Sequence, residues 1–142
     1  MRASRLPWIL LLLACGAPES ATPGPDDGTA ILHQHRDERF TLTVSAKDEN
    51  AARWLLAGVV PRGAYHLAAD YPARLELDAP DRTDGRRRVD PTEDTARSEQ
   101  RLDFRTKIGL ESRQFSGRLR FGVCRSDEVC EPVDHPFEFI LP

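Results

Sequence analysis

The chain has 142 residues, with 20 Lys and Arg against 23 Asp and Glu, a formal charge of −3 and 7% aromatic residues. That length suits one domain with a modest core. Mild acidity with scattered arginines argues against a nucleic-acid surface, and beyond the N-terminus no hydrophobic segment reaches membrane-spanning length.

The N-terminus reads MRASRLPWILLLLACGAPES. Arg2 and Arg5 form a short positive region, and Leu6 to Ala14 is apolar but for Pro7. Such a stretch is too short to span a bilayer, so it is expected to be a signal-peptide core. It ends in LLAC, Leu12 to Cys15, which resembles the lipobox of bacterial lipoproteins: small or aliphatic residues, then a cysteine that takes a diacylglycerol and becomes the new N-terminus. The resemblance implies a signal peptide over residues 1–14 and a membrane-lipid partner held through Cys15. An ordinary signal peptide with an incidental cysteine is the alternative. Losing Arg2 and Arg5 with the signal leaves 18 basic against 23 acidic residues, a charge of −5. Gly16 supplies no acidic retention signal after Cys15. The expected location is therefore the cell envelope, lipid-anchored and facing the periplasm, with the outer membrane favoured.

Residues 15–30 are dominated by Pro, Gly, Ser, Ala and Asp, and are expected to be a flexible tether. The folded domain is expected over residues 31–142. Period-two alternation then recurs along the chain. Phe40, Leu42 and Val44 alternate in RFTLTVS, and Ala73, Leu75 and Leu77 in ARLELD. Leu102, Phe104, Ile108 and Leu110 mark RLDFRTKIGL, with Thr106 between; Leu119, Phe121 and Val123 mark GRLRFGVC; Phe137, Phe139 and Leu141 mark HPFEFILP. Such segments predict half-buried antiparallel strands. Turn signals separate them at 61–63 (PRG), 79–85 (APDRTDG) and 115–117 (FSG). Residues 50–60 carry features of both helix and strand, and Val59, Val60 and the following turn favour a strand. Residues 79–100 form the longest polar stretch, expected to be a functional or disordered loop. Six or seven short strands predict an all-β fold, an immunoglobulin-like antiparallel β-sandwich.

Three cysteines are an odd number for an exported protein. With Cys15 assigned to lipid, Cys124 and Cys130 remain as a pair outside the cytoplasm, where disulfides persist. The connection RSDEV is short and polar, so the two can meet across a hairpin-like turn. A plain staple closing so small a ring contributes only about 2–2.5 kcal/mol. Zinc needs three or four ligands, and His33, His35, His66 and His135 show no spacing that joins the cysteines, so no metal or cofactor is expected. His33 and His35 in HQH would at most bind a metal weakly. Trp54 is expected in the core, Arg86 to Arg88 on a solvated loop face, and His66 as a packed or surface residue. There is no nucleophile elbow and no phosphate-binding glycine loop.

Three stretches together carry a further likeness: PRGAYHLAADYPARLELDAP, RLDFRTKIGL followed by FSGRLRFGVC, and VCRSDEVCEPV. In this order the chain from Phe40 to Pro142 resembles the N-terminal periplasmic domain of the transmembrane thiol–disulfide reductase DsbD and its free-standing lipoprotein relatives. The resemblance implies a sandwich whose Cys124 and Cys130 cycle between disulfide and dithiol. They would relay electrons between a membrane thiol–disulfide reductase and a thioredoxin-like protein. Attack by a thiolate through a mixed disulfide is the route. Arg125 would favour a thiolate on Cys124, while Asp127 and Glu128 would oppose it. The multi-pass segment and thioredoxin domain of the full reductase are not in this sequence, so the implied donor is a separate protein. Relatives cap the disulfide with an aromatic loop. Residues 81–100 here hold no Phe, Tyr or Trp, so Tyr65 or Tyr71 substitutes, the sulfurs lie open, or the pair is structural. A non-catalytic binding or structural lipoprotein with a Cys124–Cys130 staple is the competing expectation.

Overall fold

A computed structural model describes residues 28–79, 83, 85–126 and 129–142. Cys15 and the signal and tether residues up to 27 lie outside these, as do Asp127 and Glu128. Among the described residues nine strands follow in chain order: β1 (Thr29–Arg36), β2 (Phe40–Glu49), β3 (Ala52–Pro61), β4 (Tyr65–Leu67), β5 (Arg74–Asp78), β6 (Arg86–Val89), β7 (Leu102–Ile108), β8 (Gln114–Arg125) and β9 (Cys130–Ile140). One sheet runs β1-β2-β3-β7. In the other, β8 is central: β9 lies along one edge, β4 and then β5 along the other, and β6 outside β5. Every pairing is antiparallel. The neighbours β2-β3-β7 and β9-β8-β5-β6 follow the A-B-E and G-F-C-C′ orders of an immunoglobulin-like sandwich, with the C strand broken into β4 and β5 and β1 added outside A.

The alternation read from the sequence builds the core. Phe40, Leu42 and Val44 from β2, Leu55 and Val59 from β3 and Phe104 from β7 face Leu75, Leu119, Phe121 and Val123 across the interior, all at 1% exposure or less. Each such side chain contributes about 1.5–3 kcal/mol by leaving water. Phe40 and Phe121 join the two sheets edge to face, centroids 5.0 Å apart, the geometry that aromatic quadrupoles favour.

Several elements differ from expectation. Strand β1 opens at Thr29, where it adds to the β2 edge. Residues 52–60 are strand, as favoured, after a two-residue turn: Asn50 and Ala51 both have positive φ (53° and 58°), and Ala52 opens β3 opposite Glu49. The FSG stretch is not a turn but lies inside β8. Its Gly117 is required by crowding, since a Cβ there would lie 2.3 Å from the Glu76 carbonyl oxygen.

The polar stretch 79–100 also holds more order than expected. It contains β6, paired with β5, where Arg86 meets Glu76 at 3.4 Å and Arg87 donates to the buried Thr106 hydroxyl. Glu76 also receives Arg74 at 2.7 Å and Arg120 at 3.7 Å, so one half-buried carboxylate ties three strands. Beyond β6, Thr95 is buried, shares a 2.8 Å hydrogen bond with Thr92 and accepts one from Asp103 N–H. Trp54 is half-buried on the outer face of β3 rather than in the core, because inward positions there are odd-numbered. Arg105 stacks over its ring at 4.1 Å and Lys107 lies at 5.1 Å, contacts that need an aromatic face open to cations.

At the β1–β2 turn, Asp37 accepts backbone N–H groups from Arg39 (2.8 Å) and Phe40 (3.0 Å) and pairs with the Arg39 guanidinium at 2.9 Å. Burial pushes its carboxyl up, but these donors outweigh it and hold the pKa at about 2, so the turn stays charged across ordinary pH.

The β2–β3 turn yields a test. A turn with positive φ at both centres suits Asn-Gly, and alanine at the second position carries a Cβ penalty. Ala51→Gly is expected to stabilise the chain by about 0.5–1 kcal/mol, read as a higher urea midpoint with unchanged slope.

Candidate functional site

Cys124 and Cys130 form a disulfide with Cα atoms 3.9 Å apart. They are directly opposite each other in the β8–β9 ladder, which continues through ten further pairs to Gln114 and Ile140. Arg125 N–H donates to the Val129 carbonyl at 2.8 Å just beyond them. The covalent bond therefore joins positions that backbone pairing already brings together.

The next strand over adds a third member. His66 of β4 is directly opposite Cys124 on its other side, so His66, Cys124 and Cys130 form one row across three strands. Residues paired in this way project to the same face. That face is the outer one, because Phe121 and Val123 point inward. Cys124 is nonetheless 4% exposed, whereas Cys130, at the sheet edge, is exposed. One sulfur-bearing residue is shielded and the other is open.

The shielding comes from the interruption between β4 and β5. The chain from Ala68 to Ala73 lifts over β8, anchored by Ala68 N–H on the Gly122 carbonyl at 3.0 Å. Only glycine fits beneath it: a Cβ at Gly122 would lie 2.8 Å from Ala68 Cβ and 3.0 Å from the Tyr71 Cβ and Cγ. The β6–β7 connection reaches the same place, with Leu67 N–H donating to the Glu99 carbonyl at 2.9 Å. Together these segments leave an open cleft of about 440 Å³ beside the disulfide, bordered by His66, Ala68, Asp70, Glu99, Cys124 and Cys130.

Among the described residues no Phe, Tyr or Trp borders that cleft. Tyr65 packs toward the core, and Tyr71 covers Gly122, two residues short of Cys124 along β8. Neither tyrosine therefore covers the pair, and of the two cysteines Cys130 alone is exposed. Arg125 is the next residue along β8, so its side chain leaves on the opposite face from Cys124. Asp70 and Glu99 bring negative charge to the cleft, which opposes thiolate formation there.

Sequence reading found both cysteines but not the role of Gly122 or the row that His66 completes. The period-two signal stops at the lifted segment, so pairing across it has no local mark. Among the described residues no group of three or more His, Cys, Asp or Glu side chains stands ready to hold a metal ion, and no helix is long and apolar enough to cross a membrane.

The lifted segment can be tested directly. Gly122→Ala is expected to cost about 1–3 kcal/mol through overpacking against Ala68 and Tyr71, read by urea denaturation, and to raise proteolytic nicking within residues 68–73. Unchanged stability would mean that the segment does not rest on β8. No family model, curated protein or solved structure matches this chain.

Proposed function

We propose that this protein is a thiol–disulfide exchange module of the cell envelope, tethered to a membrane by lipid on Cys15, and that Cys124 and Cys130 are its redox pair. The observation that carries the reading is the asymmetry of the pair: Cys124 is covered, while Cys130 is exposed beside an open cleft. An incoming thiolate reaches Cys130 first. The new bond forms to the Cys130 sulfur as the Cys124–Cys130 bond breaks, and Cys124 leaves as the thiolate. A second thiol of the partner then attacks the mixed disulfide and releases Cys130. Two electrons enter the pair and the partner leaves as a disulfide; the reverse sequence returns them. A partner of the thioredoxin-like class, or a membrane thiol–disulfide reductase, supplies such a dithiol.

The competing reading is a binding or structural lipoprotein with a staple at the end of the β8–β9 hairpin. The burial of Cys124 suits it equally. The two differ in potential: structural disulfides of exported proteins lie below about −300 mV, and labile ones higher.

Titration of the oxidised chain against glutathione or dithiothreitol buffers is expected to give a potential above that mark. Cys124→Ser, which leaves the accessible Cys130 thiol, is expected to trap a mixed disulfide with a thioredoxin-like partner. A potential well below −300 mV together with no trapped species would refute the exchange function.

A further inference from the structure

Three of the four histidines in the chain meet at one place. His33 and His35 lie on β1, at the edge of one sheet, and His135 on β9, at the edge of the other. On β9, His135 occupies the inward register of Val133, Phe137 and Phe139, a position that an apolar side chain would fill in an ordinary sandwich. On β1, a register shift between Ile31 and His33 precedes the two histidines. The exposed Gln34 and Arg36 then point out, while His33 and His35 are half-buried. The seam between the sheets is thus closed by imidazoles.

Their geometry is specific. His33 Nε2 and His135 Nε2 face each other at 3.1 Å. The His35 ring lies against His135 with centroids 4.5 Å apart, and His35 Nε2 is 3.6 Å from Asp37 Oδ2. Phe40 and Phe137 border the cluster, at 5.6 Å from His35 and 6.4 Å from His33. Asp37 is the carboxylate beside it; Arg39 pairs with Asp37 and, at 3.1 Å, with Glu131 of β9.

We infer that His33 and His135, with His35 beside them, form a binding site for a divalent transition-metal ion of the copper, nickel or zinc type. Two nitrogens 3.1 Å apart subtend about 98° at an ion bonded to each at about 2.05 Å. That is the angle between adjacent ligands in tetragonal copper or nickel, and within reach of a zinc tetrahedron. Imidazole is a preferred donor for all three. In the present arrangement the third ring does not share the point, so the ion is held first by the His33–His135 pair. Asp37 lies behind His35, with Oδ2 at 3.6 Å from Nε2; a carboxylate behind a ligating histidine is the usual support.

The protonation states suit an ion. Burial, and then repulsion from His35, holds His33 below the ordinary imidazole value. Burial, then His35 and His33, lowers His135 against a smaller opposing pull from Asp37. Both rings are therefore neutral at pH 7.5. On binding, the proton shared between the two Nε2 atoms moves to the Nδ1 of its ring through water, and the ion takes both lone pairs. Acid reverses this, because each ring must be deprotonated at the ligating nitrogen.

The test uses the untagged chain with its disulfide intact, so that neither a purification tag nor a thiolate supplies ligands. Calorimetric titration with nickel chloride or zinc chloride at pH 7.5 is expected to show one saturable equivalent. His33→Gln and His135→Gln are each expected to weaken it at least tenfold, while His66→Gln leaves it unchanged. Glutamine keeps a polar side chain at the seam. If a variant nonetheless fails to fold, paramagnetic broadening in the wild-type chain decides: nickel is expected to broaden the ring signals of His33, His35 and His135 and spare His66. Absence of saturable binding, binding that survives both substitutions in folded protein, or broadening centred on His66 would overturn the inference.

Discussion

The register of strand β8 is the constraint on which the rest of this structure depends. Among the described residues it is the one strand of its sheet that pairs with β4, β5 and β9 alike. Its odd residues Leu119, Phe121 and Val123 fill the core, and its even residues Gly122 and Cys124 face outward. A slip of one residue would exchange the two sets, placing arginines 118 and 120 inside. Burial of three large apolar side chains in one strand outweighs any such alternative by several kcal/mol. The outer face inherits its positions from that choice. On that face Gly122 passes under the lifted segment and Cys124 arrives opposite both His66 and Cys130, while on the inner face Gly117 passes under the Glu76 carbonyl.

This origin explains why the disulfide and its surroundings differ in character. The β8–β9 pairing holds the two cysteines together without the sulfur–sulfur bond, and the bond closes a ring small enough to contribute only about 2–2.5 kcal/mol. The cleft depends instead on the interruption of the C strand, which lets residues 68–73 rise over Gly122 while the β6–β7 connection meets β4 at Glu99. Under the proposed function these two properties belong together. The pair can open because the ladder bears the fold, and the cleft admits a partner because, among the described residues, no Phe, Tyr or Trp fills it.

What the sequence made legible follows the same physics. Strands β2, β5, β7, β8 and β9 declare themselves because one face is buried and the other wet. Strands β1 and β6 do not: β1 places histidines where alternation would show aliphatics, and β6 is three arginines and a valine. Each is fixed by its partners rather than by its own pattern, the adjacent β2 for the first and Glu76 and Thr106 for the second. Trp54 was expected in the core for its size, yet its outward register and two neighbouring cations, Arg105 and Lys107, set its place. The FSG stretch looked like a turn because glycine serves both turns and close backbone approaches, and only the position of Glu76 distinguishes them. The cysteine pair was legible from count and spacing. The histidine cluster was not, because His135 lies 102 residues from His33.

The central claim is that backbone pairing, not the disulfide, holds the site together, so that the pair opens within an intact fold. Hydrogen exchange on the reduced chain, with iodoacetamide labelling read by mass spectrometry, tests it most directly. The account predicts that β8 and β9 amides stay protected after reduction and that Cys130 is alkylated well before Cys124. Loss of protection along β8 and β9, or equal labelling of the two thiols, would contradict it.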